Sequence, residues 1–139
     1  MNKAKLVLGV VVAVLVAGLG GWFWGISGTR VVDRALQASE LRSDLLEARS
    51  SVLTARLDVY SVNFGESSRH LEDARTQLRR AEARLKSLGR QDDLTRLEPA
   101  FTGIDEAQRL TGQMDQTANA RAAEAARIID DVLGTEAKR

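Results

Sequence analysis

The side chains best suited to chemistry lie around the single histidine of the sequence. Glu66 lies four positions before His70, and Asp73 lies three positions after it, so all three fall on one face of a helix. A metal ion would find only one imidazole and two mobile carboxylates there, which is a poor ligand set. We therefore expect a solvated polar face that holds neither a metal nor another cofactor.

Other signatures of catalysis are missing from the sequence. It contains no cysteine, which excludes disulfides, thiolate metal sites and cysteine nucleophiles. It has no HExxH zinc motif, no glycine-rich phosphate loop after a strand, and no serine–histidine–acid set around His70. Helix capping and solvation account for the paired acids, which are Asp92-Asp93, Asp105-Glu106 and Asp130-Asp131. We predict that the protein is not an enzyme.

Basic residues are concentrated between positions 69 and 90. They could bind an acidic protein surface or lipid headgroups, or they could form the outer face of a helix with i,i+4 ion pairs such as Glu82–Lys86. We favour the outer face, because no aromatic side chains for base stacking accompany the charges. Lys3 and Lys5 belong to the 20 basic residues, so the rest of the chain nearly balances its 19 acidic residues. This balance predicts no nucleic-acid partner.

An uncharged segment from Leu6 to Gly28 precedes all of these residues. At about 1.5 Å per residue, a helix of this length crosses a hydrocarbon core of about 30 Å. Trp22 and Trp24 suit the aromatic belt at a membrane interface. A cleaved signal peptide is the alternative, but its apolar region is usually only about 7–15 residues long and ends in small residues. We predict a transmembrane helix over 6–28, a short basic tail at 1–5, and the lipid bilayer as a partner.

The orientation of this segment depends on charges at its two ends. Lys3 and Lys5 precede it, while Arg30, Arg34 and Arg42 follow it. The positive-inside rule therefore does not decide between the two orientations. Because a very short basic N-terminal tail usually stays in the cytoplasm, we expect the rest of the chain on the other side of the membrane.

Small residues recur at every fourth position of the apolar segment. Residues four apart share a helix face, and small ones let a second transmembrane helix approach closely. One alternative is a groove for another transmembrane helix, from a second copy or from a larger membrane complex. The other is chance, since Gly18 and Gly20 do not fit the series. The series is Gly9, Ala13, Ala17, Gly21 and Gly25.

Heptad spacing of apolar residues begins after Gly28 and predicts an antiparallel bundle of two hairpins, with four helices, over 29–134. The first helix runs from about Arg30 to Val62, and its half near the membrane is either a projecting stalk or covered by later helices. A second stripe widens its apolar face for packing in the bundle. The inner seam includes Ala38, Leu41, Leu45, Ala48, Val52, Ala55 and Val59, and the second stripe is Val32, Leu36, Leu46, Leu53, Leu57 and Tyr60.

Capping and stop signals divide the remaining residues into three helices. Ser67 or a neighbour caps the second helix, which ends before Gly89. Pro99 lies within the third helix, so we expect a kink there or a break with a restart at Glu98. The fourth helix starts at Asp115 or Thr117 and ends before Gly134. Residues 135–139 are predicted to form a disordered tail.

The first turn of this bundle resembles the helix-turn-helix of a tetratricopeptide repeat. The match covers about residues 63–74, with an aromatic residue, a small residue, a large apolar residue and an alanine at the positions where that family packs two helices together. The resemblance implies protein–protein interaction. The order of one anchor and a helical domain is also similar to many bacterial envelope proteins, which implies the bacterial inner (cytoplasmic) membrane. The matching residues are Phe64, Ser67, Leu71 and Ala74.

Two functional hypotheses remain from the sequence. The first is a non-enzymatic accessory or scaffold subunit, anchored by one helix, whose bundle binds a protein partner at the membrane. The second is a ligand-sensing helical bundle that signals through a partner membrane protein, because only about five residues precede the predicted membrane helix.

Overall fold

The structure of the chain is a computed structural model that describes the backbone of residues 3–136 and the side chains of residues 32–136. Over this range the chain is all-α. It divides into two compact units, Met1–Leu36 and Gln37–Arg139. In the first unit, the side chains from Val32 to Leu36 are exposed. The four helices are α1 (Lys3–Tyr60), α2 (Phe64–Ser87), α3 (Gln91–Gly112) and α4 (Ala118–Glu136).

The second unit is a closed four-helix bundle, as predicted from the heptads. Turns of only a few residues join its helices, so neighbours in sequence run antiparallel. Ion pairs join three of the four neighbouring helix pairs, and at the fourth Gly103 of α3 lies against Ala125 of α4. The ion pairs are Arg84 to Asp44 between α2 and α1 (2.6 Å), Arg75 to Asp105 between α2 and α3 (3.3 Å), and Arg49 to Asp130 between α1 and α4 (2.5 Å).

One apolar stripe from each helix forms the core. The inner seam is confirmed as the stripe that α1 contributes. Burial of each leucine or isoleucine contributes about 1.5–3 kcal/mol. Alanines between them let the helices approach closely, most of all where Gly103 of α3 faces Ala125 of α4. The largest fully buried side chains include Leu41 and Leu45 of α1, Leu71, Leu78 and Leu85 of α2, Leu97 and Ile104 of α3, and Ile129 and Val132 of α4.

The second stripe of α1 does not pack in the bundle, so this expectation is wrong. Leu46, Leu57 and Tyr60 are 45%, 66% and 70% exposed, and only Leu53 packs partly against the core. With heptad spacing, the stripe is centred about 150° around the helix from the inner seam. Both stripes therefore cannot face one core, and the longer unbroken one faces inward.

Of the kink or break expected at Pro99, the break does not occur, because α3 is continuous through this residue. Proline removes the hydrogen bond to the carbonyl four residues earlier, which is that of Thr95. Thr95 and Pro99 are both exposed, so water can satisfy this carbonyl. Asn63, not Ser67, caps α2 by accepting a hydrogen bond from the backbone N–H of Glu66 at 3.5 Å. Ser67 is fully buried in the bundle.

Candidate interaction surfaces

His70 lies between two aspartates and holds α2 against α1. Its Nε2 is 3.7 Å from Oδ2 of Asp58 on α1, and its Nδ1 is 3.9 Å from Oδ2 of Asp73. Glu66, the third residue of the predicted polar face, pairs instead with Arg69 at 3.3 Å. Within residues 32–136, no three histidine or acidic side chains are grouped so that they could hold a metal ion.

The basic residues of α2 divide into those that join helices and those that face solvent. Arg84 contacts both Glu40 and Asp44 of α1. The hydrogen bond to Asp44 is the largest cause that raises the pKa of Arg84 above its ordinary value. Arg79 and Arg80 are exposed. Much of the local excess of positive charge is therefore used to close the bundle.

Two open grooves run along α3. The first lies between α2 and α3, has a volume of about 500 Å³, and combines apolar Leu94 and Phe101 with the cation of Arg79. The second lies between α3 and α4 and has a volume of about 510 Å³. Glutamates dominate the charged lining of the second groove, which includes Glu98 and Glu124. The first groove is lined by three basic and three acidic residues, whereas the second is mainly acidic, so the two grooves suit different ligands.

A buried ion-pair cluster closes the end of the bundle where α2 meets α3. Arg90 pairs with Asp93, whose side chain is 1% exposed, and with Glu136, the last residue of α4. Asp93 lies in the first turn of α3, near a helix end as predicted, but the predicted solvation is wrong, because the cation of Arg90 permits its burial. The end of α4 lies two residues beyond the predicted boundary at 134. The heptad pattern contains no signal for this long-range pair.

The opposite end of the bundle carries exposed apolar side chains, and two of them lie on strained backbone. Val62 follows α1 and Met114 follows α3, with positive φ values of 59° and 57°. Their side chains are 61% and 75% exposed. Below them, Val59, Leu110 and Ala118 form a small buried cluster. We call Tyr60, Val62 and Met114 the apolar end.

Both strained residues belong to the same helix-ending motif. In this motif the residue after the helix adopts a left-handed conformation, and the next N–H donates to a carbonyl five residues back. Asn63 N–H donates to Asp58 O at 2.8 Å, and Asp115 N–H donates to Leu110 O at 3.0 Å. Gly89 occupies the left-handed position after α2, where no strain arises. Because neither left-handed position is a glycine, the sequence carries no local signal that the chain adopts this conformation at Val62 and Met114.

The site residues predicted within 6–28 lie outside the residues whose side chains are described. These are the small residues Gly9, Ala13, Ala17, Gly21 and Gly25 and the interfacial Trp22 and Trp24. Among the residues that could be searched, no helix is both long and apolar enough to cross a membrane. The transmembrane helix, its packing face and the orientation therefore stay predictions.

The residues that carry the tetratricopeptide resemblance lie at the contact between α1 and α2. Ser67, Leu71 and Ala74 are buried, and Phe64 packs against the small cluster at the apolar end. Comparison of the chain with protein-family models, with curated proteins and with solved structures gives no match. The tetratricopeptide resemblance stays a prediction.

Proposed function

We propose that the protein is a non-enzymatic accessory or scaffold subunit, anchored in a bacterial inner membrane by residues 6–28, whose helical bundle binds a protein partner. The observation that supports this proposal most directly is the apolar end. Val62 and Met114 expose apolar side chains on left-handed backbone. Such strain is frequent at functional surfaces, where a side chain is needed for a contact outside the folded domain.

Val62 and Met114 differ from glycine in the free energy that a left-handed backbone costs them. A left-handed conformation costs a residue with a Cβ about 1–2 kcal/mol, and valine is among the least tolerant types. The exposed side chains of Val62 and Met114 recover little of this cost by burial within the bundle. Glycine at Gly89 builds the same motif without it. The apolar side chains are therefore better explained by contact with a partner than by the stability of the fold.

The partner surface is expected to be apolar at its centre and charged at its rim. Tyr60 adds a large amphipathic side chain, 70% exposed, beside Val62, and tyrosine is frequent in the core of protein interfaces. Charges of both signs surround the apolar end, including the exposed pairs Arg69–Glu66 and Arg109–Glu106. A mixed rim of this kind favours a protein surface over anionic lipid.

The test is purification of the full chain from native membranes in mild detergent. We expect stoichiometric protein partners with the unmodified chain and their loss with the double variant Val62→Gly/Met114→Gly. That variant should fold at least as stably, because the relieved strain of about 1–2 kcal/mol per residue exceeds the added unfolded-state entropy of glycine, about 0.4–1 kcal/mol.

The control is Arg80→Ala/Arg127→Ala, which changes two exposed polar residues within α2 and α4, away from the apolar end. It should retain the partners. Partners that survive loss of the apolar end would show that this surface is not the binding site. A chain that purifies without companions and with a bound small molecule would contradict the proposal as a whole.

The groove between α2 and α3 favours a second candidate function, the sensing of a small amphipathic ligand. Phe101 and Leu94 offer apolar contact, while Arg79 offers a cation for a carboxylate. Native mass spectrometry of the purified protein would reveal such a ligand. Arg79→Ala and Phe101→Ala should then each weaken its binding, whereas Val62→Gly should not.

A further inference from the structure

The outer face of α1 carries a second heptad seam that no part of the bundle covers. Steps of four and three residues connect its positions from Ser39 to Tyr60. Leu53 is partly buried, and the other six side chains are exposed. We call these residues the outer seam: Ser39, Ser43, Leu46, Ser50, Leu53, Leu57 and Tyr60. In the sequence, the same register continues upstream to Leu36 and Val32.

The outer seam contains no charged residue, although 28% of the residues in the chain are charged. A solvated helix face is normally rich in charge, and an uncharged stripe with heptad spacing is the pattern of a helix that packs along another helix. The inner seam of α1 already packs along the other helices of the bundle. The outer seam is therefore available to a second helix from outside the bundle.

Charges of opposite sign flank the outer seam on its two sides. One flank consists of the residues directly before Ser43, Ser50 and Leu57, and it is basic. The other flank consists of the residues directly after Ser39, Leu46, Leu53 and Tyr60, and its first two residues are acids. The basic flank is Arg42, Arg49 and Arg56, and the acidic flank is Glu40 and Glu47, followed by Thr54 and Ser61.

We propose that the outer seam binds the outer seam of a second copy of this chain, with the two α1 helices parallel. In a parallel pair, the basic flank of one helix faces the acidic flank of the other, because interhelical contacts join these two columns. In an antiparallel pair, each flank faces its own copy, and like charges repel. A lipid surface is disfavoured too, because a membrane-binding helix carries basic residues around its apolar face.

Arg42 and Glu47 are the residues through which this parallel pairing acts. Coiled-coil geometry brings the basic position of one heptad opposite the acidic position five residues further along the partner. Arg42 of one copy then faces Glu47 of the other, twice, by two-fold symmetry. Arg42 has no ion pair within the described part of the chain, and Glu47 accepts only a hydrogen bond from Ser43 Oγ at 3.2 Å. Their neighbours Glu40 and Arg49 are already paired with α2 and α4.

The proposal does not depend on the proposed function, since a dimer can form with or without a further partner. Three serines among the seven seam residues make the contact weaker than an all-leucine seam. Serine is small, however, and lets two helices approach closely. Because a weak contact is easily lost during purification, the experiment uses the full chain in mild detergent.

Disulfide cross-linking tests the position of the contact. Because the sequence contains no cysteine, each variant chain carries only the one thiol that is introduced. Parallel two-fold pairing places each Ser50 beside its own copy, so Ser50→Cys should form a covalent dimer under mild oxidation. The control is Ala83→Cys, exposed on α2, which should remain monomeric. A monomeric Ser50→Cys chain, or equal cross-linking of both variants, would overturn the proposal.

Charge reversal tests the orientation and the partner. Arg42→Glu and Glu47→Arg should each raise the dimer dissociation constant about tenfold, because two symmetric pairs change from attraction to repulsion. The double variant Arg42→Glu/Glu47→Arg should restore the dimer. If neither single reversal raises the dimer dissociation constant, the chain associates through another surface, for instance through 6–28, and the proposal is overturned. A different protein bound to this face in place of the second copy would also overturn the proposal.

Discussion

The guanidinium of Arg90 pairs with the carboxylate of Glu136, and this contact ties the turn between α2 and α3 to the last turn of α4. The same guanidinium lies 2.7 Å from Oδ2 of buried Asp93. Burial alone would lower the pKa of Arg90, but hydrogen bonds to Glu136 and Asp93 raise it above its ordinary value. Arg90 therefore bridges two carboxylates and closes this end of the bundle, and Nη1 of Arg96 lies 3.7 Å from Oδ1 of Asp93 as a second cation.

Loss of the Arg90 cation should destabilise the bundle strongly. Arg90→Met leaves buried Asp93 with the longer contact to Arg96 at 3.7 Å, and we expect the free energy of unfolding to fall by about 2–3 kcal/mol. Glu136→Gln should cost less, about 1–2 kcal/mol, because Arg90 still neutralises Asp93. Urea unfolding followed by circular dichroism measures both. The control is Arg127→Met at an exposed position of α4, and an equal loss in the control would contradict this role of Arg90.

The close approach of α3 to α4 at Gly103 should limit the size of residue that this position accepts. A Cβ there would lie 3.2 Å from Cβ of Ala125. We expect Gly103→Ala to change stability by less than about 1 kcal/mol, because the gain in helix propensity is offset by crowding. Gly103→Leu should destabilise the bundle by about 1–3 kcal/mol, because its side chain forces the helices apart.

The matched glycine for this series is Gly112, the last residue of α3, where a Cβ would meet no atom within 4 Å. Gly112→Ala should stabilise the protein by up to about 1 kcal/mol through helix propensity alone. Thermal unfolding of these three variants and of Gly112→Leu gives the comparison. Equal tolerance of leucine at positions 103 and 112 would show that α3 and α4 are not in close contact at Gly103.

Acid should weaken the turn before α4. The backbone N–H of Thr117 donates a hydrogen bond to Oδ1 of Asp115 at 2.8 Å, and this bond is the largest cause that lowers the pKa of Asp115. A carboxyl group whose pKa is lowered by folding stabilises the native state above its unfolded pKa, near 3.9. That contribution is lost as the pH falls through the lower native pKa.

Comparison with Asp115→Asn isolates this effect, because an amide oxygen can accept the same hydrogen bond and does not titrate in this range. The unmodified chain should be the more stable of the two at pH 7, and the difference should shrink as the pH is lowered toward 3. Unfolding curves across this range provide the measurement. A difference that does not vary with pH would mean that the charge of Asp115 does not contribute.

The small-residue face of the predicted transmembrane helix has its own test. Gly21→Leu together with Gly25→Leu should weaken association in the membrane if this face packs against another helix, because leucine keeps the two backbones apart. A two-hybrid assay in bacterial membranes measures the association. Val14→Leu/Val16→Leu is the control within the same segment. Unchanged assembly in the glycine variant would favour chance as the origin of the series.

Local signals were sufficient for the helical character and for most of the core. Heptad spacing identified Leu41 and Leu45 as core residues, because a repeat of three and four residues is a property of one helix and needs no knowledge of its neighbours. Gly89 likewise marked the end of α2, since a left-handed residue after a helix is usually glycine. The uncharged length of segment 6–28 predicts a transmembrane helix. This segment lies outside the residues whose side chains the structure describes.

Only the tertiary structure decided which surface of α1 is buried and which residues meet across the bundle. Two heptad seams on one helix look alike in sequence, and packing of α2 and α4 against the inner one is what leaves Leu57 exposed. The pair of Arg90 and Glu136 is equally invisible to local pattern, because its members are far apart in the chain. Periodicity shows that a helix has an apolar stripe, whereas the three-dimensional arrangement of the other helices determines what covers it.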